Sequence, residues 1–486
     1  MWFRKAIITM AGQNSTKEWI SDSENLSFGQ QVQLVIRLSI PAILAELTSI
    51  AMQYIDAAMV GSMGAEASAA IGLVSSSSWL LGGLCISAAA GFSVQVAHFA
   101  GAGRRDEARN VFKHSLVLGL VLGILLSVIG ASLSPMLPVW LGGKEEITSA
   151  ASRYFLIFSC ALPATQFRQI AGSMLQCSGD MKTPSMLNII MCILDVVFNF
   201  LFIFPARQVA FGGIQVIMPG LGLGVSGAAL GTALSEVVIA ALMLWAACVK
   251  SDYLRLTEGT KKGWNMSYYK RAARISLPIA LEHAILCGAQ VALTHITAPL
   301  GTVAIAANTL AVTAESLCYM PGYGVGTAAT TLVGQSLGAG KRQLAKRYAW
   351  LSVLLGVGIM SVMGILMYLF SPYMFAMLTP DEEVRSLGTR VLRIEAFAEP
   401  LYAASIVVAG ALRGAGDTFI PSVLNLVSMW GVRITAAALL APRVGLRGVW
   451  LAMCGELCFR GVLFLIRLKR GKWLDRNLIA TEGKLT

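Results

Sequence analysis

Charge is scarce in this chain. Only 13% of its 486 residues are Asp, Glu, Lys or Arg, against 56% apolar, where a soluble domain carries roughly 25% charged residues. A water-facing globular protein is therefore excluded, and the solvent to plan for is lipid. Histidine is scarcer still: the four are scattered, so no cluster of ligands or nucleophile with its base marks an enzyme. The nine cysteines form no Cys-x-x-Cys. They read as small buried hydrophobes, without zinc or structural disulfides. No Gly-x-x-x-x-Gly-Lys-Ser/Thr run occurs, which removes P-loop nucleotide-driven pumping. Nothing resembles the filter or charged rings of a channel. No cofactor or resident metal is expected, and no cleavable signal peptide: Arg4 and Lys5 precede only a brief apolar run before the polar stretch 13–31, leaving the first span as the targeting signal.

What the chain does have is a second copy of itself. At one constant offset in numbering, 237, Pro41 falls on Pro278, Gly64 on Gly301, Gly101-Ala102-Gly103 on Gly338-Ala339-Gly340, Pro163 on Pro400 and Gly179-Asp180 on Gly416-Asp417. Hydrocarbon about 30 Å thick takes roughly 20 apolar residues per helical span, and twelve such windows centre near residues 48, 83, 123, 163, 195, 236, 286, 317, 360, 401, 430 and 456. Backbone polar groups in lipid must pair within the segment, so the spans are helices. We expect an all-α integral membrane protein of twelve transmembrane helices in two parallel six-helix repeats. Such repeats are the signature of transporters that enclose a central cavity between two lobes.

Lys and Arg set the orientation. They crowd the connection after span two (Arg104, Arg105, Arg109, Lys113), its repeat partner (Lys341, Arg342, Lys346, Arg347), the central loop (Lys261, Lys262, Lys270, Arg271, Arg274) and the C-terminal tail. By the positive-inside rule these lie in the cytoplasm, with both termini. The expected order is a cytoplasmic segment 1–37, a first lobe 38–249, a cytoplasmic linker 250–274, a second lobe 275–468 and a cytoplasmic tail 469–486. The net charge of +12 is explained by this topology, and no nucleic-acid partner is expected.

Ionisable groups inside a span are costly and mark function, and those that break the repeat are the most informative. At the 237 offset Asp56 pairs with Leu293, Asp195 with Val432 and Asn199 with Ala436. Asp195 and Asn199, four apart, share a helical face. With Asp56 they form an oxygen set suited to a proton or a sodium ion. Elsewhere the structural reading prevails. Glu456 and Arg460, also four apart, neutralise each other; His283 and His295 read as interior hydrogen-bonded residues; Gly82, Gly83, Gly322, Gly324 and Gly326 suit close helix packing. The facing of Glu46, Glu236, Glu315 and Arg433 stays open.

These features resemble the multidrug and toxic compound extrusion (MATE) family, bacterial type, over about residues 35–468. The resemblance rests on Pro41, Ile55-Asp56-Ala57-Ala58-Met59-Val60-Gly61, Val333-Gly334-Gln335-Ser336-Leu337-Gly338-Ala339 and Leu412-Arg413-Gly414-Ala415-Gly416-Asp417-Thr418. It implies a secondary multidrug efflux transporter, exporting amphipathic organic cations by antiport with protons or sodium ions through alternating access of two lobes. Some members similarly carry a span-one aspartate and an Asn-x-x-x-Asp pair on span five, inverted here as Asp195-x-x-x-Asn199, with a threonine on span six that Thr232 matches. Other members bind the coupling cation through acids on spans seven and ten, where this chain has Leu286 and Tyr402. Glu282 and Glu399 lie within a turn of those positions, so Glu282, Glu399 and Tyr402 are candidate second-lobe contacts. The resemblance also implies a monomer in a bacterial cell or inner membrane, with membrane lipid and small organic cations as its partners. A lipid or polysaccharide flippase of related two-lobe architecture is the alternative.

Overall fold

The computed structural model describes residues 27–211, 214–256, 263–476 and 478–479. The expected N-terminal segment as far as residue 26, Lys261 and Lys262 of the linker, and residues 477 and 480–486 of the tail lie outside the described residues. The first half holds α1 (Phe28–Gly61), α2 (Ala65–Gly101), α3 (Arg105–Leu133), α4 (Glu145–Ser178), α5 (Lys182–Ile203) and α6 (Val225–Trp245). The second holds α7 (Met266–Thr297), α8 (Thr302–Gly338), α9 (Arg342–Leu378), α10 in two pieces (α10a Glu382–Glu395, α10b Glu399–Gly414), α11 in two pieces (α11a Phe419–Leu426, α11b Thr435–Val444) and α12 (Leu446–Arg470).

Among the described residues ten helices are long and apolar enough to cross a bilayer. The fourth and tenth positions, repeat partners, fall short by composition or continuity. α4 is 34 residues long but carries Arg153 and Arg168, and it packs along α2, α3 and α6. Its partner breaks at residues 396–398. The same repeated proline serves both: Pro163 lies inside α4, whereas Pro400 sits in the first turn of α10b, where its missing N–H deprives no helical carbonyl.

Two boundaries differ from the sequence expectation. α1 starts at Phe28, well before the expected lobe boundary, because Ser27 and Gln30 form a reciprocal capping box and Leu34, Val35 and Leu38 pack against Met181, Leu332 and Tyr348. α7 starts at Met266, so Lys270, Arg271 and Arg274 lie on its first turns and not in a free linker.

The turns are duplicated as closely as the helices. Gly64 and Gly301, Gly103 and Gly340, and Gly179 and Gly416 all have positive φ, between 72° and 119°, a region where a Cβ is strained. Each pair keeps the repeat offset. In the eleventh helix the register then slips. Val427–Ile434 forms a wide π turn, which accommodates one residue more than an α-helix. As far as its third residue, buried Pro421, Ser422 and Met429 repeat buried Pro184, Ser185 and Cys192. From its last turn onward, buried Arg433, Ala437 and Ala441 repeat buried Asp195, Asn199 and Ile203, with the offset raised by one. The constant-offset pairing of Asp195 with Val432 and Asn199 with Ala436 is therefore corrected to Arg433 and Ala437.

The next connection changes the offset again. In the first half an antiparallel hairpin, β1 (Pro205–Phe211) with β2 (Ile214–Leu221), is added to the all-helical plan, whereas α11b passes through Gly445 directly into α12. Gly224 and Gly445, both at positive φ, precede α6 and α12 and set a new, shorter offset between these two helices. Packing confirms both new registers: a Cβ on Gly227 would overlap the Phe202 carbonyl, and one on Gly448 the carbonyl of Leu440.

The lobes meet along α1–α8, α2–α7 and α2–α8. Of the glycines expected at close contacts, Gly324 abuts the Ile43 backbone, Gly322 meets the Met360 sulfur and Gly83 meets the His283 ring, while Gly82 has nothing near it. Near the ends of α2 and α8 the contact is reciprocal. A Cβ on Gly101 would overlap the Gln335 carbonyl, and a Cβ on Gly338 the His98 carbonyl.

Candidate functional site: a bridged carboxylate pair in the first lobe

Asp56 on α1 and Asp195 on α5 share one hydrogen-bond donor group. Asn199 Nδ2 donates to Asp56 Oδ1 at 2.8 Å and to Asp195 Oδ2 at 2.9 Å. The one-turn spacing of Asp195 and Asn199 stacks them, and both are fully buried, while Asp56 is half-buried. α6 closes the third side. Ser235 Oγ donates to Gly231 O at 2.6 Å and stands 3.5 Å from Asp195 Oδ1, and Thr232 lies close enough for its hydroxyl to act on the Asp195 carboxylate electrostatically. The approach of α6 needs Gly231, since a Cβ there would overlap Asn199 Oδ1. Tyr154 of α4 lies within electrostatic reach of both acids.

Thus Asp56, Asp195, Asn199 and Thr232 come together. No Lys or Arg among the described residues forms an ion pair with either acid, and the oxygen atoms converge from three helices. Such a set is suited to sharing a proton or coordinating a small hard cation.

The second-lobe candidates are split between two places. Glu282 is tied to the connection between α10b and α11a: it accepts from Ser422 Oγ at 2.8 Å and Asn425 Nδ2 at 2.6 Å, and Arg413 Nη2 stands 3.4 Å away. Glu399 begins α10b, at the other end from Arg413, fully buried and against the Cys318 thiol. Tyr402, one turn on, packs its ring 5.6 Å from that of Tyr319, with the Arg460 guanidinium 5.5 Å from its own centroid.

Several participants were not evident from sequence. Ser235 could have been found from Gly231 and Thr232 on the same helix. Arg168 and Glu236 pair at 2.6 Å between α4 and α6, with Glu46 of α1 within electrostatic reach of Arg168. Arg433 reaches Glu456 through Nε at 2.9 Å and Nη2 at 2.8 Å, and Arg460 Nε lies 3.2 Å from the other Glu456 oxygen. The expected Glu456–Arg460 neutralisation is present, with Arg433 as a second partner across helices.

Comparison with known proteins agrees with the duplicated architecture. The MatE family model matches residues 41–201 and again 278–439. The chain is 27% identical over 455 residues to a probable multidrug resistance protein NorM of Thermotoga maritima, covering 92% of this chain and 94% of that one. A probable NorM of Neisseria meningitidis serogroup B is 25% identical, with 90% and 93% covered. In fold, the chain matches a MOP superfamily transporter from Pyrococcus furiosus with a TM-score of 0.84 at 22% identity, over 91% of this chain and 96% of that one. It also matches a multidrug resistance MATE transporter in an outward-facing conformation, with a TM-score of 0.83 at 22% identity, over 91% and 97%. With two family matches, one in each half of the chain, that together cover most of it, this multi-pass membrane protein belongs to the MatE family of transporters.

Proposed function

We propose that this transporter exports amphipathic organic cations in exchange for protons or sodium ions, with the exchanged ion binding at Asp56, Asp195, Asn199 and Thr232. The observation that carries the reading is the single Asn199 amide bridging two carboxylates that have no basic ion-pair partner among the described residues. A buried and a half-buried acid sharing one neutral donor group carry charge that a bound cation offsets. The multidrug resistance names of the relatives support the drug class. Antiport follows if cargo and ion favour different states of the two lobes or compete for the same oxygens.

In the second lobe, Tyr319 and Tyr402 offer an aromatic surface for a cationic cargo, with the buried Glu399 carboxyl behind it, whereas Glu282 holds α10b and α11a together. The protein acts as a monomer in a bacterial inner membrane with both termini in the cytoplasm, consistent with the basic residues at one set of span ends.

The test is uptake of a fluorescent organic cation into proteoliposomes under an imposed proton or sodium gradient, comparing the parent protein with Asp56→Asn. Gradient-driven uptake that is lost in the variant supports the first-lobe site and identifies the ion. Equal uptake by both removes Asp56 from the mechanism, and absence of uptake by either favours the flippase.

A further inference from the structure

We infer that Arg433 is a tethered cation, occupying in the second lobe the repeat-equivalent place that the first lobe leaves for an exchangeable one, so that only the first lobe loads and releases a coupling ion. This rests on the reading of Asp56 and Asp195 as the coupling site.

The equivalence comes from packing. Past the register slip inside the π turn of the eleventh helix, Arg433 repeats Asp195 and Ala437 repeats Asn199, both pairs buried. On the partnering helices, aligned through Gly224 and Gly445, buried Gly227, Ser235, Ile239, Ala240 and Met243 fall on buried Gly448, Glu456, Arg460, Gly461 and Phe464. The contact between Asp195 and Ser235 in the first lobe thus becomes the contact between Arg433 and Glu456 in the second. Its geometry is an ion pair, with Arg433 Nη2 2.8 Å from Glu456 Oε2.

The sign of the charge is inverted at the same place in the fold. The first lobe presents carboxylates there with a hydroxyl and an amide as neighbours. The second presents a guanidinium, which stays charged and cannot leave, facing carboxylates from the surrounding helices. Glu456 of α12 binds it directly; Glu395 of α10a and Glu315 of α8 are within electrostatic reach, and Arg460 also attends the cluster. Glu395 is fully buried, and neither of its carboxylate oxygens has a hydrogen-bond partner among the described residues. Acids outnumber arginines in this cluster even with Arg433 present. Removing the guanidinium therefore leaves a place with the charge and oxygen donors for a free cation, as in the first lobe.

The experiment follows thermal unfolding of the full-length protein in detergent, as sodium or proton concentration is raised with choline chloride holding ionic strength. Asp56→Asn/Asp195→Asn is the background, so that the first lobe offers no carboxylate to a coupling ion. Melting of this background is expected to be insensitive to sodium, and its proton dependence is the baseline set by the other titratable groups. Adding Arg433→Met should bring sensitivity beyond that baseline, the midpoint rising by about 2 °C or more on saturation, while adding Arg433→Lys, which keeps a tethered charge, should not. A folded Arg433→Met variant of the background with no added ion response overturns the inference. So does one that fails to fold at any ion concentration while the lysine variant folds, because a free cation then cannot replace the guanidinium. A sodium response already present in the background would instead sink the first-lobe coupling site, and ion-driven transport by the background would show the same failure.

Discussion

His98 and Gln335 are repeat partners, and each reaches the same place in the opposite lobe: His98 Nε2 lies 3.0 Å from Gly414 O, and Gln335 Nε2 donates to Cys177 O at 2.8 Å. Gly414 and Cys177 are themselves repeat partners at the same offset. With Nε2 protonated, His98 supplies the same crossed hydrogen bond as the glutamine. The two bonds, with the glycine contacts around them, join the ends of α2 and α8 to α10b and α4 on the side where the basic residues cluster.

Replacing either member of this crossed pair by alanine leaves a buried carbonyl without its donor, at a cost of about 1–3 kcal/mol. His98→Ala and Gln335→Ala should each lower the thermal unfolding midpoint and speed amide exchange at the ends of α2 and α8. Exchange-rate changes confined to the substituted lobe would show that the crossed bonds do not join the lobes.

Gly338→Ala tests the same contact by overpacking. Its methyl would overlap the His98 carbonyl, and a backbone neighbour has no rotamer with which to yield, so destabilisation of about 1–3 kcal/mol is expected. Gly82→Ala, with open space around it, is the matched control and should unfold like the parent protein.

Asn199→Leu removes the donor shared by Asp56 and Asp195. Hydrogen bonds to charged groups contribute about 1.5–3 kcal/mol each, so ion-driven uptake should fall by about tenfold or more. Gly231→Ala, which pushes a methyl against Asn199 Oδ1, should act in the same direction without changing any titratable group. Unchanged uptake in both variants would argue against a bridging role for the amide.

Arg168 and Glu236 join α4 to α6 with little solvent exposure, 15% and 11% of their side chains. Arg168→Met strands a buried carboxylate and should destabilise by about 3–5 kcal/mol, whereas Arg168→Met/Glu236→Leu should recover most of that loss. Unfolding of the single and double variants in parallel decides it: equal losses would mean that the stranded Glu236 carboxylate is not what destabilises the single variant.

The asymmetric acids were legible in the chain, because they depend on spacing along one helix and on comparison with the other half. Asp195 and Asn199 declared a common face through their separation of four, and Asp56 stood out because Leu293 replaces it. Ser235 and Gly231 were harder to see, since their importance lies in how closely α6 approaches α5.

Apolar run lengths are enough to require helices in lipid, and residue identities at a fixed offset are enough to require two repeated halves, so both followed from the chain before any contact was known. Which residues are equivalent late in each half is instead a matter of packing. A π turn inserts one residue in the eleventh helix, and a hairpin lengthens the connection before α6. Side-chain facing depends on the cumulative helical phase, so a slip of a single residue turns the comparison of Asp195 from apolar Val432 to cationic Arg433. Likewise, Glu282 and Glu399 look like interchangeable second-lobe acids along the chain. Packing separates them by giving Glu282 an arginine, a serine and an asparagine from the α10b–α11a connection, and burying Glu399 against Cys318 at the opposite end of α10b.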